Sequence, residues 1–338
     1  MTVDPNNTVF METRDALDGT VTSQTEAADL ARVEFGRIHP LTGPVYVKGA
    51  EPGDVLEVRI LEVRPEPFGF TLLMPGFGIL REHFPHPVIA KWDIAGGVAR
   101  SPQIPGVCIP GAPFMGVMGV APSHELLNRA EARESDLLKR GGVVLPPSPD
   151  GAIPPEHPVA TKGLRTIPPR ENGGNIDIRH LTAGTTAYFP VFVPGALFSA
   201  GDAHFAQGDC ESCGTAIEMA ATLTVQFGVI KNALTSYVRG VHYSNTGQQR
   251  PTIAAEGRYY ATTGIPITAD GRNECEDVTL AAKNALLSMI EYLTLRYRFT
   301  REQAYALTSV AVDLHLSELV DVPNVLVSAF LPLEIFET

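Results

Sequence analysis

Cysteine is scarce in this chain: Cys108, Cys210, Cys213 and Cys275 are the only four in 338 residues. That is too few to build a disulfide scaffold at this size. Positive charge is also in deficit. The formal net charge of -12 repels phosphate backbones, so nucleic acid is not an expected partner, and the surplus of acid mainly aids solubility. No apolar run is long enough to span a bilayer, so no membrane partner is expected. Met1-Thr2-Val3-Asp4-Pro5 has neither a basic start nor an apolar stretch, which predicts no export signal and a cytoplasmic location with reduced thiols. Internal repeats and low-complexity blocks are missing too. Charged residues make up only 19% against 44% hydrophobic ones, a balance that fits a globular chain and excludes disorder.

What the chain has is punctuation. Its 31 glycines and 28 prolines are spread throughout, which favours many short strands and turns over long helices. The expected fold is mainly β with an α+β portion. The length suggests two parts, a β-rich one over 1–145 and a second over 146–338 carrying the polar motifs and the α+β portion, working as one integrated unit. Asp54 to Arg64 alternates, with Leu56, Val58 and Ile60 on one face, and predicts a strand ended by Arg64-Pro65. Residues 65–121 show no sustained period and read as a long ordered loop region that could form a lid. A helix is expected from Ser123 to Arg140, stopped by Gly141-Gly142. The proline-rich stretch 145–170 reads as a wrapping loop or linker. Residues 187–194 read as a strand. The clearest strand pattern starts at Ile217, with Met219, Leu223, Val225 and Phe227 on one face and Glu218, Thr222, Thr224 and Gln226 on the other. Helical spacing from Asp277 to Leu295, a capping box at Thr300 to Gln303 and a last strand at Val325 to Leu331 complete the chain.

Two polar clusters carry the chemistry. One is Arg170-Glu171-Asn172-Gly173-Gly174-Asn175-Ile176-Asp177. The other runs from Gly201 through Asp202, His204 and Asp209 to Glu211, directly after an apolar stretch. Burying so many carboxylates unpaired would cost several kcal/mol per ion, which a divalent cation would offset. Imidazole with carboxylate suits Zn, with Fe, Mn or Ni as others. Asp202 and His204, two apart, share a face if extended, and Asp209 and Glu211 repeat that spacing. The same residues also read as a polar turn held by arginine salt bridges. Gly173-Gly174 and Gly208 read either as close-approach points, with N–H groups free for an oxyanion, or as ordinary turns.

Both clusters, in this order and spacing, closely resemble the acetamidase/formamidase family. So do Glu12 to Gly19, Thr42 to Val47, Gly49 to Asp54, Phe114 to Pro122 and Gly214 to Glu218, and the likeness covers nearly the whole chain. The resemblance implies a β-sandwich or barrel-like body, a homo-oligomer, and metal-dependent hydrolysis of formamide, acetamide or a similar short amide to ammonia and a carboxylate. Carried onto this chain it implies Asp202, His204, Asp209 and Asp15 as metal ligands. Glu211 or Asp177 would move the proton, and Asn172, Asn175 or a backbone N–H would stabilise the oxyanion. The sequence departs from the family at Cys210, where glycine is common, and at His39, where asparagine is common. Two other functions remain open. One is a nitrilase-type amidase using Cys210 or Cys213 with Glu218 and Lys231. The other is a non-catalytic β-rich module binding a cation or small molecule. Cys210-Glu211-Ser212-Cys213 also offers a C-x-x-C, without a second one to complete a zinc site. The remaining histidines and Trp92 read as packing or surface residues.

Overall fold

A computed structural model describes residues 1–142, 144, 155–156, 164–233, 240–245 and 257–337. The expected loop or linker at 145–170 lies largely outside the described residues. The strands, in chain order, are β1 (Thr2–Val3), β2 (Thr8–Thr13), β3 (Thr42–Val47), β4 (Val55–Leu73), β5 (Val88–Ala95), β6 (Val98–Ser101), β7 (Ile104–Pro110), β8 (Phe114–Gly119), β9 (Gly173–Asn175), β10 (Thr185–Pro190), β11 (Phe198–His204), β12 (Glu218–Ile230), β13 (His242–Asn245), β14 (Tyr259–Gly264), β15 (Asp313–Glu318) and β16 (Leu326–Pro332). The helices are α1 (His124–Lys139), α2 (Val278–Tyr297) and α3 (Arg301–Ala311).

The fold is mainly β. Strands β4 and β12 pair antiparallel from Glu218↔Phe70 to Ile230↔Val55 and form the spine of a large sheet. Along its path lie β1, β3, β11, β12, β4, β5, β6 and β7; β2 adds to β12, β10 to β4, and β8 to β11. The alternation that predicts β12 is real, but both of its faces are covered, so Glu218, Thr222 and Thr224 are buried rather than wetted.

Two sequence expectations are corrected here. Strand β4 does not stop at Arg64-Pro65 but runs on to Leu73. Its register against β12 jumps between Ala221↔Pro65 and Met219↔Gly69. A bulge of this kind accepts proline without breaking a ladder bond. Residues 65–121 are then not a long loop: the second half of β4 pairs with β5, and β5 to β7 form successive antiparallel pairs. The turn between β5 and β6 is Gly96-Gly97, both at positive φ, the conformation tight hairpins need.

The C-terminal portion is a three-stranded sheet, β14-β16-β15, with α2 against it. Gly264 allows that contact, since a Cβ there would lie 2.1 Å from the Ala281 carbonyl. Asp277 caps α2 and Thr300 with Gln303 forms the capping box of α3. One buried cluster runs from Val225 and Phe227 of β12 to Leu286, Tyr305 and Leu331, so the helical portion shares the core of the β body. Among the described residues no helix is long and apolar enough to cross a membrane.

Candidate active site

Strand pairing assembles the site. His204 ends β11 and Glu218 opens β12, and the two are direct cross-strand partners. Opposed residues on neighbouring strands place their side chains on one face. On the other side of β11 lies β8, where Gly201 pairs with Val117 and Ala203 with Met115. Gly116 therefore sits under Asp202. Its carbonyl also accepts the N–H groups of Ile176 (3.0 Å) and Asp177 (3.2 Å), which brings in the end of the first polar cluster. A Cβ on Gly116 would lie 2.7 Å from Asp177 Oδ1, 2.8 Å from Asp202 Oδ2 and 2.8 Å from the His204 ring. Helix α3 brings in Glu211. Ser309 accepts the Gly208 N–H through its carbonyl and the Cys213 N–H through its hydroxyl, and Thr308 bonds Ser212.

His204 Nε2 is the focus. It lies 3.2 Å from Glu218 Oε2, 3.4 Å from Asp202 Oδ1 and 3.8 Å from Glu211 Oε1. Asp177 completes a second set with His204 and Glu211, its facing atoms within 4.8 Å of one another. Yet His204 Nε2, Asp177 Oδ1, Asp202 Oδ1 and Glu218 Oε2 are buried without a hydrogen-bond partner. Asp177, Asp202 and Glu211 also hold φ of 44°, 56° and 44°, a left-handed backbone that costs about 1–3 kcal/mol each. Strain and orphaned polar atoms at one point mark a functional site better than either alone.

The electrostatics agree. Two like charges 4 Å apart repel by about 4 kcal/mol near a protein surface and by more inside. Burial pushes the Glu218 carboxyl up to about 8 and Asp177 up to about 7. Burial likewise raises Glu211 well above its ordinary range, with Asp177 adding to it. Burial opposes charge on Asp202 as well, but His39 and His204 outweigh it and hold this carboxylate ionised. Burial would neutralise His204, but Glu218 and Asp202 keep it charged well above its usual value. Imidazole nitrogen plus carboxylate oxygens is a donor set that fits a borderline divalent cation, and a cation beside His204 Nε2 would give the facing carboxylate oxygens of either set a partner.

The structure brings Asp202, His204, Glu211 and Asp177 together, and leaves other expected residues outside. Asp209 parts from the sequence reading: its carboxylate faces Arg179 (3.9 Å) and His315 (3.8 Å), beside Asp313, because the chain turns away at Gly208. Asp15 Oδ1 accepts the N–H groups of Leu17 (2.9 Å) and Gly19 (3.2 Å), and Asp15 falls in neither set of side chains around His204. Asn172 donates one of its two amide N–H groups to the Val120 carbonyl at 2.8 Å. Asn175 keeps an unpartnered, buried Oδ1. Gly173 N–H is spent on the Arg170 carbonyl. Sequence reasoning gave Glu218 a role only in the cysteine-dependent alternative, and gave none to Gln207, which bonds His204. It saw His39 only as a departure, yet His39 Nε2 lies 3.7 Å from Asp202.

The cysteine reading loses support. Cys213 is buried, and burial pushes its thiol up to about 11. Desolvation and the charges of Asp209 and Asp313 raise Cys210 as well, and Lys231 is paired with Asp54 at 2.5 Å. Reactive cysteines need the opposite environment.

The Acetamidase/Formamidase family model matches residues 1–338. The chain belongs to this family. A formamidase from Methylophilus methylotrophus is 36% identical over 99% of this chain and 86% of its own length. An acetamidase from Mycolicibacterium smegmatis is 35% identical over 90% of this chain and 80% of its own. Among solved structures, a gamma lactamase from Delftia acidovorans superposes with a TM-score of 0.92 at 34% identity, covering 100% of this chain and 86% of that one. An acetamidase from Bacillus halodurans gives 0.57 at 27%, covering 98% and 91%. As a member of the acetamidase/formamidase family the protein is an amidohydrolase acting on carbon–nitrogen bonds other than peptide bonds.

Proposed function

We propose that this amidohydrolase cleaves a short amide of the formamide or acetamide class, with a divalent cation, zinc foremost, held by Asp177, Asp202, His204 and Glu218. The observation that carries the reading is that these four side chains each leave a buried atom unpartnered and belong to two potential ligand sets that share His204. When bound, such a cation acts as a Lewis acid toward the amide carbonyl and acidifies water. Glu211, beside His204 and pushed up by burial, is suited to take the proton of the attacking water and pass it to the departing nitrogen. Water adds to the carbonyl carbon, the C–N bond breaks, and ammonia and a carboxylate leave. Gly116 keeps the floor of the site open to the reacting group.

A lactam is the second reading, favoured by the superposition on a gamma lactamase. The proposal includes a homo-oligomeric assembly, which light scattering tests. The deciding experiment combines metal analysis of purified protein with ammonia release from formamide, acetamide and propionamide, and ring opening of a γ-lactam, before and after chelation. Activity that survives complete removal of metal would sink the metal-dependent reading.

A further inference from the structure

Gln207 is almost fully buried, at 6% exposure, three residues beyond His204. Its side-chain Nε2 donates to the Asp177 backbone carbonyl at 3.0 Å, and its Oε1 lies 2.9 Å from His204 Nδ1. The first contact fixes the second. A carbonyl oxygen only accepts, so the amide NH2 must face Asp177. The amide oxygen must then face the imidazole, and an oxygen can be satisfied there only if Nδ1 carries a proton. Nδ1–H leaves Nε2 as the nitrogen whose state varies, and Nε2 is the one aimed at Asp202, Glu211 and Glu218. Phe114, with its ring edge-on at 5.0 Å from His204, adds a steric wall but no polar partner. On its other side Gln207 borders a cavity of about 600 Å³, also lined by Arg179, Tyr259, Val310 and Phe330.

We infer that Gln207 is a positioning residue: it locks His204 in the Nδ1–H form, presents the Nε2 lone pair to the cation, and ties the Asp177 segment to the His204 segment. The inference rests on the cation reading above in its second clause alone. Groups that orient a ligating histidine typically contribute about 10–100-fold in metal affinity. In Gln207→Leu the amide is gone and Nδ1 loses its acceptor. In Gln207→Glu an acceptor for Nδ1–H remains while the donor to Asp177 is lost.

The test uses the full chain of wild type, Gln207→Leu and Gln207→Glu. Proton NMR on protein with labelled histidine, assigned by loss of the signal in His204→Ala, reads the Nδ1–H resonance. Zinc affinity of the metal-free proteins is read by competition with a chromophoric chelator, and their folding by thermal unfolding. The expected result is a slowly exchanging Nδ1–H in wild type, its loss to solvent exchange in Gln207→Leu, and zinc binding about 10–100-fold weaker in that variant. Gln207→Glu keeps the resonance and returns affinity to within several-fold of wild type. A His204 Nδ1 that carries no proton in wild type would overturn the inference. So would wild-type zinc affinity in Gln207→Leu, or an equal drop in both variants. If wild type binds no zinc yet shows the Gln207-dependent Nδ1–H, the cation reading fails and the orienting role stands.

Discussion

At the scale of single residues, the site depends on which side chain meets His204 and on what is missing beneath it. Glu218 lies 3.2 Å from Nε2, whereas Asp209 turns away to Arg179 and His315. Glu218→Gln should lower amide turnover by about 100-fold or more and weaken zinc binding, the upper end of what ligand-sphere changes cost. Asp209→Asn should stay within several-fold of wild type. Parallel kinetics and zinc titration of the two variants separate them, and equal losses would put the boundary of the site in the wrong place. Gly116→Ala inserts a methyl group 2.7–2.8 Å from Asp177, Asp202 and His204. Reacting groups displaced by about 1 Å can lose about 100-fold in rate, so this variant should lose activity on that scale while its fold survives. Circular dichroism alongside kcat checks both parts. His204 and Asp202 were legible in the sequence because they lie two apart beside an apolar strand. Glu218 was not, because alternation reports which face a residue takes, not whether that face is wet.

At the scale of elements, α3 is the support of the Glu211 segment. Tyr305 spans the gap: its hydroxyl donates to the Ser212 carbonyl at 2.5 Å and accepts the Leu80 N–H at 2.9 Å. Tyr305→Phe leaves the buried Leu80 N–H unpaired, while the Ser212 carbonyl keeps the Ile79 N–H at 2.9 Å. The expected cost is about 1–3 kcal/mol in chemical denaturation, the ordinary penalty for such groups, with a lower kcat because Glu211 is held less firmly. Unchanged stability would mean that another group replaces the hydroxyl. The capping box of α3 and the cap of α1 were readable from Thr300, Gln303 and Ser123 because caps are local. That α3 braces a loop some ninety residues earlier was not, since no local signal encodes it.

At the scale of the whole molecule, the buried acids couple stability to pH. Asp177 and Glu218 are pushed up to about 7 and about 8, and His204 is raised as well. Each binds its proton more tightly in the folded chain than in the unfolded one. Their contribution is present at low pH and is lost as pH rises through the folded values. Asp202, held low, and His39, pushed down by burial, act in the opposite direction; the Asp202 contribution is complete above pH 5, and His39 offsets part of the loss up to its ordinary value. Metal-free protein should therefore lose stability from pH 5 to pH 8, on the order of several kcal/mol. Zinc should flatten or reverse that slope, because its ligands deprotonate as pH rises. Thermal unfolding across this range with and without zinc measures it, and a metal-free Tm that climbs toward pH 8 would contradict the assignment of these groups as buried and raised.

The sequence by itself determined the mainly β class, the caps, the two polar clusters and, through their long paired motifs, the family. Those features are local, or are carried by unbroken runs of residues. Tertiary structure alone decided that Gly116, Asp177, Asp202, His204, Glu211 and Glu218 meet. It also decided that Pro65 sits in a bulge instead of ending β4, and that Asp209 faces away. The physical reason is that strand register between β8, β11 and β12 sets which side chains oppose, and register is fixed by pairing partners far away in the chain.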